Sequence, residues 1–223
     1  MIEETKFLVS KNIYDTAVKN IPVIPNGKLT LNEPTGRFFY DPWVIKDEFK
    51  DTVWEEVLKT LPNNIGEARL IKLNFGSCYL SHSDIDDRYH LSLIGEKSYL
   101  IDLDNDRMYF LENKELWYYM NTEFRHSAAN FGSIPRTQLV VRKLLSENNN
   151  GHFKKIVITL NNQHDDSRYF FDNEISPILN RSNKIGMIRD FYVNNNVVSF
   201  EMHVNQVESI LQKSCDRYTI ISI

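Results

Sequence analysis

Residues 80–93 read LSHSDIDDRYHLSL, and two of them, His82 and Asp84, are separated by a single residue. On an extended backbone that spacing puts both side chains on one face. An imidazole and a carboxylate on one face supply two ligands of the three-ligand set that leaves positions open on Fe(II). The third ligand is expected downstream, on a strand that folds back beside the first. His126, within RHSAANFG, is the best placed; His152 and His164 lie beyond a polar break, and His203 lies in the segment after it. Arg136 follows ten residues past His126 and opens RTQLVVRKLL. A guanidinium fork suits the far carboxylate of a cosubstrate such as 2-oxoglutarate, through paired charge-assisted hydrogen bonds. Each feature alone occurs by chance, and a single polar strand residue more often caps a turn or faces solvent. H-x-D, a run of short strands, then H-x₉-R in one β-rich region is far more specific.

The run LIKLNFGSCYLSHSDIDDRYHLSL, together with NTEFRHSAANFGSIPRTQLVV, resembles the aspartyl/asparaginyl β-hydroxylase group of Fe(II)- and 2-oxoglutarate-dependent oxygenases. That group includes bacterial proline 3-hydroxylases, and the likeness spans residues 66–144. It implies that His82, Asp84 and His126 bind iron and that Arg136 binds the C5 carboxylate of 2-oxoglutarate. Arg88 and His90 match an R-x-H element of the family, which implies contacts to the cosubstrate's metal-proximal carboxylate or to the substrate. The implied activity is hydroxylation of an amino acid, free or within a polypeptide, with release of succinate and CO2. Animal aspartyl hydroxylases carry Gly where this chain has Asp84, which weakens any transfer of their substrate. The loop between His82 and Arg88 is also short, which loosens the R-x-H match. The alternatives are a non-catalytic cupin-like binding or sensor protein, which would typically show H-x-H and a Glu before a later His, and a scaffold with a vestigial oxygenase core.

These residues need a strand-rich frame. Strands are predicted at 28–32 and 37–40, then a helix over 46–60 with Phe49, Val53, Val57 and Leu58 at helical spacing. Closely spaced strands follow at 67–73, 77–81, 89–93, 98–103, 108–111, 117–120, 125–130 and 137–144, with turn signals at 74–76, 95–96, 104–106 and 132–135. That pattern predicts a mainly β domain over 1–146, a double-stranded β-helix (jelly roll, cupin-like). His126 and Arg136 are expected on antiparallel neighbours joined by a turn. After the polar break SENNNG (146–151), residues 153–223 predict a small α+β domain. Its elements are a strand at 155–160, a helix over 166–181 broken by Pro177, a hairpin of 187–193 with 197–204, a helix at 206–214 and a strand at 218–223. The order βαββαβ is that of a ferredoxin-like unit, with no metal ligand expected there.

The net charge of −4 gives no electrostatic footprint for nucleic acid. No apolar run approaches the ~20 residues of a membrane span, and the acidic N-terminus, MIEETKFLVSKN, lacks the basic and apolar regions of a secretory signal. A cytoplasmic protein with two reduced cysteines, Cys78 and Cys215, is expected. Cys78 reads as a small buried hydrophobe, Asp86 and Asp87 as solvated, and Trp117, Tyr118 and Tyr119 as core and sheet surface. The expected partner is the amino acid or polypeptide substrate; the oligomeric state is not legible.

Overall fold

The computed structural model describes residues 2–146, 153–161, 167–194, 196–204, 207 and 218–222. The chain is mainly β and divides into two compact units: Met1–Thr35 with Asp41–Leu144, and Gly36–Tyr40 with Leu145–Ile223.

In the first unit the elements run β1 (Ile2–Leu8), α1 (Lys11–Lys19), β2 (Lys28–Thr30), β3 (Asn32–Pro34), β4 (Trp43–Ile45), α2 (Val53–Leu58), β5 (Ile65–Leu73), β6 (Ser77–Cys78), β7 (Arg88–Ile94), β8 (Ser98–Asp102), β9 (Arg107–Phe110), β10 (Leu116–Met120), β11 (His126–Asn130) and β12 (Arg136–Lys143). They form a six-stranded sheet, β1-β10-β7-β12-β5-β2, a four-stranded sheet, β6-β11-β8-β9, and the β3–β4 ribbon. All pairings are antiparallel, and no sheet closes into a barrel among the described residues.

The six-stranded sheet has two unlike faces, set by the period of two along each strand. Ala68 and Leu70, Tyr89, Leu91 and Leu93, Trp117, and Leu139 and Val141 pack on one face with residues of the helices, including Tyr14 and Ala17 of α1 and Trp54, Val57 and Leu58 of α2. The alternate positions carry Glu67, Arg69, Arg88, His90, Arg136, Gln138 and Arg142. A smaller cluster joins Ile2, Tyr118 and Met120 of this sheet to Leu100 and Ala128 of the four-stranded sheet, so the polar face looks toward the second sheet.

The helix expected over 46–60 is shorter. A 3-10 turn over Asp47–Phe49 is followed by α2, and between them Asp51 takes a left-handed conformation (φ 55°) that breaks helical continuity. Thr52 caps α2 by accepting from the Trp54 N–H. Helix α1, capped by Ser10, was not among the sequence expectations.

The second unit contains β13 (Phe153–Leu160), α3 (Ser167–Phe170), α4 (Ser176–Lys184), β14 (Ile188–Asn194), β15 (Val197–His203) and β16 (Tyr218–Ser222), with the antiparallel order β14-β15-β13-β16. Ile156, Ile158, Phe171, Val198 and Phe200 anchor its core. The helix expected over 166–181 is divided as Pro177 requires. A π-helical turn over Phe171–Ile175 ends one segment, and the proline sits in the first turn of α4, where its missing N–H leaves no intrahelical bond unmade. Residues 37–40, expected as a strand, form a turn grouped with this unit; Phe39 C=O accepts from the Leu145 N–H at 2.8 Å. A Cβ on Gly186 (φ 80°) would meet the Tyr40 ring at 2.7 Å, so glycine is needed there for space and conformation alike. Apart from Val207, the helix expected at 206–214 lies outside the described residues, as do His152, His164 and Cys215. Among the described residues no helix is long and apolar enough to cross a membrane.

Leu139 is fully buried between sheet and helices. Leu139→Ala should destabilise the first unit by about 2–5 kcal/mol. Trp43, Trp54 and Trp117, the chain's three tryptophans, all lie in that unit, so denaturant unfolding followed by tryptophan fluorescence reads it selectively. An unchanged midpoint would contradict this packing.

Candidate metal centre

Residues 82–84 run beside 122–126 as a short antiparallel pair. The His82 N–H donates to the His126 carbonyl at 3.1 Å, the His126 N–H donates back to His82 at 2.8 Å, and the Asp84 N–H donates to Thr122 C=O at 3.0 Å. This pairing brings together residues far apart in sequence. Asp84 Oδ2 lies 3.4 Å from His82 Nε2 and 3.3 Å from His126 Nε2. One ligand atom from each of the three residues falls within 4.8 Å of the others, a set that could hold a metal ion.

The histidine tautomers follow from the backbone. Nδ1 of His82 lies 2.8 Å from Leu80 C=O, and Nδ1 of His126 lies 2.9 Å from Phe124 C=O. A carbonyl only accepts, so each Nδ1 carries the proton and each Nε2 keeps a lone pair for a metal. Burial pushes the Asp84 carboxyl up, but the facing His126, the Arg88 guanidinium and His82 outweigh it and hold the group well below the usual carboxylate range.

Arg88 Nη2 bonds the other Asp84 oxygen, Oδ1, at 2.6 Å. Behind it runs a series of alternating charges. Arg88 lies 3.7 Å from Asp86 Oδ1, Asp86 is bonded by Arg142 Nη1 at 2.5 Å, and Arg142 Nε reaches Glu67 at 3.0 Å. Asp86 was expected to be solvated and is instead 2 % exposed; its carboxyl is pushed up by burial, against the opposing pull of Arg142 and Arg88. Asp87, also expected to be solvated, is partly buried, accepts from the Tyr119 hydroxyl and lies 3.7 Å from Lys143 Nζ. The Asp86 partner Arg142 comes 56 positions later, beyond any local reading of charge.

A cavity of about 710 Å³ adjoins the ligands and is lined by His82, Arg88, His90, His126 and Arg136. Arg136 is 2 % exposed. Its Nη1 donates to Tyr99 C=O at 3.1 Å and Ala129 C=O at 3.2 Å, and its Nη2 donates to Gln138 Oε1 at 3.2 Å. Among the described residues no carboxylate lies within 4.0 Å of it, and its Nε has no hydrogen-bond partner. Burial pushes this guanidinium down to about 10. The strands β11 and β12 are not sheet neighbours, as had been expected; the turn between them carries the chain from the four-stranded to the six-stranded sheet. Arg136 and His126 therefore come to the cavity from different sheets.

His90 is buried, with Nδ1 3.4 Å from Gln138 Oε1 and Nε2 without a hydrogen-bond partner among the described residues. Gln138 Oε1 already accepts from Arg136, so His90 Nδ1 is the donor here and Nε2 faces inward bare. Burial, then Arg88 and Arg136, push His90 down to about 3, so it is neutral near pH 7. Arg69, which lines the cavity, and Glu67, Gln138 and Arg142, which share its face of the sheet, were not read from sequence as part of this site. The signal was present in β12, where Arg136, Gln138 and Arg142 share one parity opposite the core-facing Leu139 and Val141.

Cys78 is exposed, contrary to expectation: β6 is two residues long and its cysteine sits outside the core. Trp117 and Tyr118 are buried and Tyr119 is partly so, as read. His203 is buried in β15 of the second unit. No protein-family model and no curated protein matches the sequence, so the chemistry of the site rests on its own geometry.

Glu67 gathers Lys28 Nζ at 2.7 Å, Arg69 Nη1 at 3.0 Å and Arg142 Nε at 3.0 Å. Burial raises its carboxyl, yet Lys28, Arg69 and Arg142 together bring it from 4.5 down to about 2. A depressed carboxylate stabilises the fold above its unfolded pKa, and that contribution is lost as pH falls toward the folded value. Glu67→Gln should therefore cost up to about 3 kcal/mol at pH 7. The gap to wild type should narrow as pH drops from 4.5 toward 3 in fluorescence-monitored unfolding. A gap that stays constant across that window would remove Glu67 from this role.

Proposed function

We propose that the first unit is a double-stranded β-helix oxygenase that uses Fe(II) and 2-oxoglutarate to hydroxylate an amino acid, free or within a polypeptide, releasing succinate and CO2. The observation that carries this reading is a buried arginine with no carboxylate partner among the described residues. It shares its cavity with two imidazoles, His82 and His126, whose ligand atoms lie within 4.8 Å of a carboxylate oxygen of Asp84. A buried cation without a counter-ion is costly unless a ligand supplies the charge, and a dicarboxylate that also reaches the metal answers both requirements.

In this reading His82, Asp84 and His126 hold the metal. Bound Fe(II), 2-oxoglutarate and O2 would supply the oxidising power for an unactivated C–H bond, which side chains alone lack. Arg88 occupies Asp84 Oδ1 and leaves Oδ2 toward the imidazoles, which favours one-oxygen coordination. Arg136 is steadied by three neutral acceptors and keeps its charge for the cosubstrate's far carboxylate. The surrounding apolar side chains, including Leu73, Leu100 and Met120, limit water at the site. The strand order of the second unit matches a ferredoxin-like arrangement, and a role in substrate selection or dimerisation suits a unit whose one described histidine, His203, belongs to β15. A cytoplasmic setting, which supplies reduced iron and 2-oxoglutarate, suits the chemistry.

Purified protein with Fe(II), ascorbate and 2-oxoglutarate should release succinate slowly even without a prime substrate. His82→Ala or His126→Ala should abolish both iron binding and this release. Wild-type behaviour in either variant, or metal binding with no 2-oxoglutarate consumption under any candidate substrate, would favour the non-catalytic cupin-like alternative. By calorimetry, Arg136→Ala should weaken 2-oxoglutarate binding by on the order of 2–5 kcal/mol while sparing metal affinity. Arg136→Lys should recover only part, because an ammonium cannot form the planar fork. Unchanged cosubstrate affinity in Arg136→Ala would take the residue out of the site.

A further inference from the structure

The cavity wall carries more positive charge than the cosubstrate requires. Lys28, Arg69, Lys72, Arg88 and Arg136 all line it, and among the described residues no Asp or Glu side chain does. Arg88 is matched by Asp84, and in the proposed function Arg136 is matched by the far carboxylate of 2-oxoglutarate. Arg69 has only a shared match. Its one acidic contact, Glu67, is shared with Lys28 and Arg142, so that even with Asp86 bonded to Arg142 two negative charges face three positive ones. The Arg69 Nε is buried without a hydrogen-bond partner among the described residues. Burial weakens the hold of this guanidinium on its proton, and Arg88 and Arg142 add like-charge repulsion.

Register separates Arg69 from the cosubstrate's arginine. Arg69 pairs with Val140, and Val140 with His90, so Arg69 shares a row of the sheet with His90. Arg136 stands four residues along β12 from Val140, roughly 13 Å at ~3.3 Å per residue. The two guanidinium groups also turn apart, that of Arg136 to the carbonyls of Tyr99 and Ala129, that of Arg69 to Glu67. The cavity thus presents Arg69 and Arg136 as separate cationic positions. At about 710 Å³ it has the size of a small-molecule site.

Building on the proposed function, we infer that Arg69 anchors a carboxylate of the substrate to be oxidised, and that this substrate is a free amino acid, not a residue inside a polypeptide. A residue within a chain has spent its α-carboxylate in the peptide bond, whereas a free amino acid brings the anion that this wall lacks. Arg69 is then a specificity-determining residue, separate from the metal and cosubstrate contacts.

The test is calorimetric binding to metal-free protein, with and without saturating 2-oxoglutarate, of each of the twenty free L-amino acids and its carboxamide. At least one free amino acid should bind, and its carboxamide should bind at least tenfold more weakly. Arg69→Gln should lower that affinity at least tenfold while 2-oxoglutarate affinity stays within about twofold of wild type, which also certifies the variant's fold. Arg69→Lys should restore part of the loss. The inference is overturned if no free amino acid binds, if the carboxamide binds equally well, or if Arg69→Gln changes nothing. Loss of 2-oxoglutarate binding in the wild type would instead strike the proposed function. The amino-acid titrations without cosubstrate would still decide the role of Arg69.

Discussion

The site depends on the division of labour between the two oxygens of Asp84. One is held by Arg88, and the other faces the Nε2 atoms of His82 and His126. Left to itself, a carboxylate between two imidazoles can rotate and offer either oxygen or both. The Arg88 bond fixes which one points inward. Arg88 is kept in place by Asp86, Asp86 by Arg142 and Arg142 by Glu67, so the orientation of one ligand is transmitted from β5 through β12 to β7. Removing one member of such a buried series leaves an uncompensated charge, typically at a cost of about 3–5 kcal/mol. The series is thus worth more as an orienting frame than as a source of net stability.

The same sheet separates packing from chemistry by parity alone. One face of β5, β7 and β12 presents Leu70, Leu91 and Leu139 to the helices, while the other presents Arg69, His90 and Arg136 to the cavity. The apolar face supplies the burial that lets the opposite face carry costly charges. A one-residue register slip in any of these strands would exchange the faces, placing arginines in the core and leucines at the cavity. Arg136 shows how the charged face is arranged for a ligand. Its donors are aimed by Tyr99, Ala129 and Gln138, all neutral acceptors, so the positive charge is fixed in position and left uncancelled. Such preorganisation spares an incoming anion the cost of reorganising its receptor.

Much of this was legible in the sequence because it is local. His82 and Asp84 share a face at a spacing of two, and alternating apolar residues between turn signals gave the strands from β5 to β12 to within a few residues. His126 and Arg136 were legible from their order and spacing, and the geometry brings both to the cavity that His82 lines. What escaped depends on pairing across long separations. Asp86 looked like a surface residue because Arg142, which accompanies it inside, belongs to another strand. His126 and Arg136 were expected to be sheet neighbours, since nothing local distinguishes a hairpin turn from one that crosses between sheets. Cys78 was misjudged by residue type, because a two-residue strand at a sheet edge does not bury its side chains. The grouping of residues 37–40 with the second unit rests on contacts with residues more than a hundred positions away, such as Leu145.

The central claim is that His82, Asp84 and His126 hold Fe(II) with adjacent positions open to 2-oxoglutarate. It is tested most directly by anaerobic titration of the iron-loaded protein with 2-oxoglutarate, followed by metal-to-ligand charge-transfer absorption. Chelation of the metal by the cosubstrate's keto acid should produce a visible band that saturates at one 2-oxoglutarate per protein and is absent from Asp84→Ala treated alike. Iron-loaded wild-type protein that develops no band at any 2-oxoglutarate concentration would contradict the account.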